Sequence, residues 1–240
     1  MVQEALARNL GVEPVLIPEG SSLVGAKQNR VVVETILVAP GQTVPVDVGC
    51  VEQGRWLFMS PKFQVAREYV EPMLRRRTVR ESAALGHVDQ RRLWADVSAC
   101  SMSRGGGSAT QDYHEAVADH RRQAEARARV LEPVPGQVGI LARAGGRLLG
   151  FEIFGHPETW SALHAGVVPS YLLSAQLASR AGAEIPGRTA AEWLATLAAT
   201  RVQARPSRGL GMQLALDGEG FAGAGLWADD HLAHLAVFGD

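Results

Sequence analysis

Residues 25–56, GAKQNRVVVETILVAPGQTVPVDVGCVEQGRW, alternate apolar and polar side chains around a central Pro40-Gly41, the pattern of a β-hairpin with a polar mouth. Strand one runs through Val31, Val33, Thr35 and Leu37, and strand two through Val44, Val46, Val48 and Cys50. If residues 39 and 42 face each other, Val33 lies beside Val48 and both sets share one apolar face. A one-residue slip would turn Asp47 and Gly49 toward that face, so the pattern predicts a single register. At the end away from the turn the same face becomes polar, carrying Lys27, Asn29 and Glu52 with Arg55 just beyond.

A chain of 240 residues with 46% hydrophobic content can bury a sizeable core. A net charge of −1 and a pI near 6.7 give no electrostatic reason to expect nucleic acid or an anionic membrane as the main partner, so neither is expected, although the charge leaves room for local basic patches. The sequence has no apolar run near the ~20 residues that span a bilayer and no secretory leader, so it reads as soluble and cytoplasmic. Cys50 and Cys100 stand alone, which argues against a disulfide framework or a zinc ribbon. Lys27 and Lys62 are the only lysines among 24 basic side chains.

Along the chain, VEPVLI at 12–17 predicts a short strand at a sheet edge because of Pro14. Pro72 is expected to break or kink any helix over 61–82, and Arg75-Arg76-Arg77 reads as a solvated basic face. A helix follows Asp89, with Leu93, Trp94, Val97 and Cys100 inward. The segment SRGGGSAT at 103–110 lacks a Gly-Lys-Ser/Thr ending and reads as a mobile connection that binds no phosphate. Thr110 offers an N-cap to a surface helix with Tyr113, Val117, His120, Ala124 and Leu131 inward. A second hairpin spans 137–154 around Gly145-Gly146, pairing Val138, Ile140 and Ala142 with Ile153, Phe151 and Leu149 and leaving Glu152 on the other face. His156-Pro157-Glu158 starts a helical region that reaches Gly182, and another helix begins at Thr189, which has capping-box spacing to Glu192. The tail alternates again as three short strands, with turns at Asp217-Gly218 and Asp229-Asp230. These signals describe one α+β domain over 1–240: a β-rich part at 10–60, a helical part at 61–132, and a hairpin, helices and C-terminal strands at 136–240. Antiparallel hairpins carry helices on and between them.

Two blocks resemble a known family. LIPEGSSLVGAKQNRVVVETILV followed by VPVDVGCVEQGRW, then QVGILARAGGRLLGFEIFGHPETW followed by PSYLLSAQ and a final HLAVF, are similar to the domain named for its association with ADP-ribosylglycohydrolases and rhodanese-phosphatases. The resemblance implies no established activity, cofactor or catalytic residue. It points to ADP-ribose or nucleotide-linked biology in bacterial conflict systems, and it leads us to expect further sequence, a strand or helix, ahead of the first block.

Strand parity sets Glu52 beside apolar neighbours, where a carboxylate needs a partner. Lys27, Asn29 and Arg55 can supply it. The cluster is either a pocket for a small anionic ligand, with Glu52 as candidate acid or base, or a structural ion pair. Glu34 and Asp47 face each other on the opposite side, which solvent explains more simply than a metal. Asp229, Asp230, His231 and His234 are metal-compatible in type, but the two histidines diverge on a strand. His156 reads as a cap. No nucleophile elbow, Cys-His pair or dinucleotide fingerprint is present. The leading expectation is a small-ligand-binding or regulatory module that uses the hairpin mouth and holds no metal. The alternatives are a hydrolase of a nucleotide- or ADP-ribose-like substrate and a structural partner-binding protein. No cofactor and no oligomeric state is readable.

Overall fold

The computed structural model describes residues 4–55, 57–178 and 188–240. In chain order its elements are β1 (Glu4–Arg8), β2 (Val15–Ile17), β3 (Ser21–Gly25), β4 (Arg30–Val32), β5 (Ile36–Val38), β6 (Thr43–Cys50) and β7 (Phe63–Tyr69), then the helices α1 (Pro72–Leu85), α2 (Gln90–Ser103) and α3 (Tyr113–Ala128). Next come β8 (Gly139–Ala144), β9 (Arg147–Phe154), α4 (Pro157–Ala178), α5 (Ala190–Ala199), β10 (Val202–Pro206), β11 (Met212–Gly218), β12 (Phe221–Ala228) and β13 (His231–Gly239). Antiparallel strands form a five-stranded sheet ordered β1-β6-β4-β3-β7, a six-stranded sheet ordered β10-β11-β12-β13-β9-β8, and the pair β2-β5. The helices pack alongside, so the chain is a single α+β domain. No described helix is long and apolar enough to cross a membrane.

The first hairpin forms in a different register. Val31 pairs with Gly49 and Val32 with Val48, one residue away from the expected Val33–Val48 pair. After Val33, whose N–H reaches the Asp47 carbonyl at 3.0 Å, strand one leaves β6, and Ile36–Val38 pairs with β2 instead. The one-face argument fails because both faces of this sheet are buried. Val31 and Val33 join Leu93 and Val97 on the helical side, whereas Val32, Val44, Val46 and Val48 join Ile36 and Val38 on the other. Gly49 lets α2 close in, since a Cβ there would sit 2.6 Å from the Leu93 side chain.

The second hairpin keeps its Gly145-Gly146 turn, with both φ angles positive, but a bulge at Ala142/Arg143 shifts the rest. Leu141, not Ile140, pairs with Phe151, and Glu152 lies fully buried on the face toward α1 and α4. Pro72 begins α1 at its first turn, where a missing N–H costs nothing, and does not break it. Arg75, expected on a solvated face, is 0% exposed. The N-cap of α3 is Asp112, because Thr110 is engaged elsewhere. Segment 103–110 is partly packed: Gly106 donates to the Ser101 carbonyl, and a Cβ on it would meet the Ala116 oxygen at 2.1 Å. The Thr189–Glu192 capping box and the Asp229-Asp230 turn form as read. The other C-terminal hairpin closes Gly218 on Phe221, and β10 extends the tail to four strands. The expected helical reach to Gly182 ends outside the described residues.

Candidate functional site

Three of the buried polar centres among the described residues bear on function. The deepest is built on Arg75. Its Nη1 and Nη2 donate to the two Glu152 oxygens at 2.9 and 2.8 Å, while Nε donates to Glu19 at 3.0 Å, with a second, shorter contact from Nη2. Glu152 also accepts from Tyr171 Oη at 2.7 Å and lies 3.1 Å from His234 Nε2. A proton on Nε2 completes a chain in which the Glu19 N–H donates to Thr35 Oγ1 and the Thr35 hydroxyl donates to His234 Nδ1 at 2.7 Å. The Phe238 ring lies 4.7 Å from the guanidinium carbon. Burial raises both carboxyls. For Glu152 the Arg75 charge and the bonds from His234 and Arg75 outweigh it and hold the group far below the usual range; Glu19, with less compensation and a Glu152 charge nearby, stays raised.

The second centre is the hairpin mouth, where the structure brings Glu52, Asn29 and Arg55 together. Arg55 clamps Glu52 with Nε at 2.8 Å and Nη2 at 2.7 Å, while the Asn29 N–H and Thr110 Oγ1 supply further bonds at 2.9 and 2.8 Å. Burial pushes the Glu52 carboxyl up, but these donors overcome it, and the group sits below its ordinary value. The rest of the Arg55 fork reaches the carbonyls of Ala26, Leu57 and Gly25 and Asn29 Oδ1. Asn29 also donates to Asp112 at 3.1 Å. Lys27 stays outside this cluster, exposed to solvent.

The third centre was not singled out from the sequence. Arg104, at the end of α2, donates to Glu71 at 2.6 Å, with both side chains 1% exposed, and to the Leu173 carbonyl at 3.2 Å. Glu71 accepts from Cys100 Sγ and Ser174 Oγ. Burial and the Glu71 charge raise the Cys100 thiol far above its ordinary range, so it is no thiolate nucleophile. Beside this pair opens a cleft of about 480 Å³ lined by Ser103, Arg104, His120, Gln123, Arg127 and Gln176 among others. Its lining contains no carboxylate. His120, Gln123 and Arg127 stand three and four residues apart on α3 and therefore share a helix face. Two smaller cavities, of about 120 and 240 Å³, lie between α1 and the small residues of β11 and β12, below the usual size of a ligand pocket.

The sequence matches the ARG and Rhodanese-Phosphatase-superfamily-associated Protein domain, ARPP-1, over residues 1–238. The chain belongs to this family. No curated protein and no solved structure matches it.

Elsewhere in this ARPP-1 domain the remaining candidates are dispersed. Glu34 is held by Ser82 and Arg205, and Asp47 by Arg208 at 3.3 Å, so arginines near β10 compensate the two acids. His156 Nδ1 accepts the Glu158 N–H at the start of α4. His231 is exposed at a turn while His234 enters the core, and among the described residues no group of three metal-ligand side chains converges. A periodicity signal could have exposed Arg75: with Val79 and Ser82 it occupies the face of α1 that also buries Leu74 and Thr78. The cleft carries a weaker signal, the spacing of His120, Gln123 and Arg127 on one face of a helix.

Proposed function

We propose that this ARPP-1 domain is a binding module for a small anionic ligand seated in the cleft between the end of α2 and the helices α3 and α4. The observation that carries the reading is the lining: the exposed Arg127 stands with His120 and two glutamines around a space of ligand size that contains no carboxylate, while Arg104, paired with Glu71, forms its wall. An arginine fork suits phosphate or carboxylate, and glutamine amides offer both donor and acceptor to a ribose or base. The association in the family name with ARG and rhodanese-phosphatase proteins supports a nucleotide- or ADP-ribose-like ligand.

On this reading the mouth made by Glu52, Asn29 and Arg55 is a structural clamp. Both Glu52 oxygens are occupied by donors from the chain itself, and a carboxyl held below its ordinary value is a poor general acid or base near neutrality. These two facts argue against a hydrolase centred on Glu52. The test is a thermal-shift titration with inorganic phosphate, AMP and ADP-ribose. A ligand that binds the native state raises Tm with concentration. We expect at least one of the three to do so in the wild type and not in Arg127→Gln. Absence of any shift, or an equal shift in the variant, overturns the proposal.

A further inference from the structure

We propose that the loop at 57–60 is a docking tip for an anionic lipid surface, in which Leu57, Phe58 and Met59 enter the bilayer interface while Lys27 and Lys62 meet the headgroups. The three apolar side chains are consecutive and 79%, 64% and 71% exposed. A soluble surface rarely keeps such a run without a use for it.

The loop is held in place through its backbone. The Met59 N–H donates to the Ala26 carbonyl at 2.9 Å, the Ala26 N–H to Ser60 Oγ at 3.1 Å, and Ser60 Oγ to the Lys62 carbonyl at 2.7 Å. Arg55 ties the Ala26 and Leu57 carbonyls to the Glu52 clamp. With these bonds directed inward, the apolar side chains are left facing solvent. The same bonds bring Lys27, next to Ala26, and Lys62, two residues from Ser60, to the flanks of the tip. These are the only two lysines of the chain, and neither has an ion-pair partner among the described residues. The neighbouring acids do not neutralise them, since Glu52 is clamped by Arg55 and Asp112 is buried against Asn29.

An apolar tip flanked by uncompensated cations complements an anionic lipid interface, where aliphatic lysine stems lie along the apolar phase and the ammonium groups reach phosphate. A protein partner fits less well. Three side chains offer far less than the ~800 Å² per partner of a stable protein interface, whereas a bilayer needs no shape complementarity. Docking by such a tip requires no spanning helix.

The experiment is co-sedimentation of the full chain with vesicles of phosphatidylcholine alone and with one third phosphatidylglycerol, independent of any ligand in the cleft. Wild type is expected to sediment with the anionic vesicles and to be released by high salt. Lys27→Gln with Lys62→Gln should weaken partitioning about thirtyfold, and Leu57→Ser with Phe58→Ser about tenfold or more, each without change in Tm because these side chains are exposed. Failure of wild type to bind anionic vesicles, or binding by either variant equal to wild type, overturns the proposal. So does a concentration-dependent dimer of wild type that Phe58→Ser abolishes, which would show that a second copy covers the tip.

Discussion

Arg75 and Arg104 make the same bond, a guanidinium to a buried glutamate, in two different settings. Arg75 is enclosed on every side by two glutamates, aromatic rings and the sheet, and its three nitrogens are all engaged by carboxylates. Arg104 is equally shielded from water along its side chain, yet it borders an open cleft whose other arginine, Arg127, has no carboxylate beside it in the lining. A buried charge compensated on all sides is architecture, because it fixes which strands and helices can meet. Charge left uncompensated at the rim of a space is free to bind. Glu52 resembles Arg75 in this respect, since its partners belong to the chain.

The largest effect that can break this contrast is at the centre. Glu152→Gln leaves Arg75 without its bidentate counter-ion and replaces one of the two oxygens that accept from Tyr171 and His234 with an amide donor, so a loss of about 3–5 kcal/mol is expected in denaturant unfolding. A loss below about 1 kcal/mol would show that Arg75 is not held chiefly by Glu152. Next comes Glu52→Gln, which weakens the Arg55 clamp and should cost about 1–3 kcal/mol with ligand binding intact.

Glu19→Gln sharpens the comparison in the opposite direction. Two carboxylates face one guanidinium, and Glu19 Oε2 is buried without a partner. Burial first, then the Glu152 charge, favours the protonated form of Glu19. For a carboxyl raised in the fold, the stabilisation is complete below the unfolded value and is lost as pH rises through the folded one. Glu152 and Glu52 are lowered, so their stabilisation is present above the unfolded value and is lost as pH falls through the folded one. Glu19→Gln should therefore leave stability near neutral pH unchanged or higher by up to about 1 kcal/mol, and should flatten the decline on the alkaline side of the unfolded value. Unfolding titrations of both proteins across pH check this, and a steeper alkaline decline in the variant would contradict it. The smallest effect on stability belongs to Arg127→Gln, an exposed residue, at under about 0.5 kcal/mol.

Local signals were legible in the sequence because they depend on neighbours in the chain. The Gly145-Gly146 and Asp229-Asp230 turns, the Thr189–Glu192 capping box and the alternating tail all follow from a few adjacent residues. The first register was misread because alternation was interpreted as one buried face, whereas helices and β5 cover both. Asn29, Glu52 and Arg55 do meet, but not through a shared face. In the register that forms, the strand residues in phase with Asn29 and with Glu52 lie on opposite faces, and the Asn29 backbone N–H and the Arg55 fork close the cluster where the strands end. Arg75 and Glu152 lie 77 positions apart, and nothing local in RRRTVR or GFEIF indicates that they meet. The cleft depends on the ends of three helices coming together, which tertiary packing alone decides.

The assignment of binding to the cleft and of scaffolding to the buried clusters is tested most directly by calorimetric titration of one ligand, ADP-ribose or the phosphate compound that shifts Tm most, into wild type, Arg127→Gln and Glu52→Gln. The account predicts that Arg127→Gln loses at least about tenfold in affinity at unchanged Tm, as expected for removal of one charged hydrogen bond, while Glu52→Gln melts earlier and still binds as wild type does. Binding that survives in Arg127→Gln and disappears in folded Glu52→Gln would contradict it and return the site to the hairpin mouth.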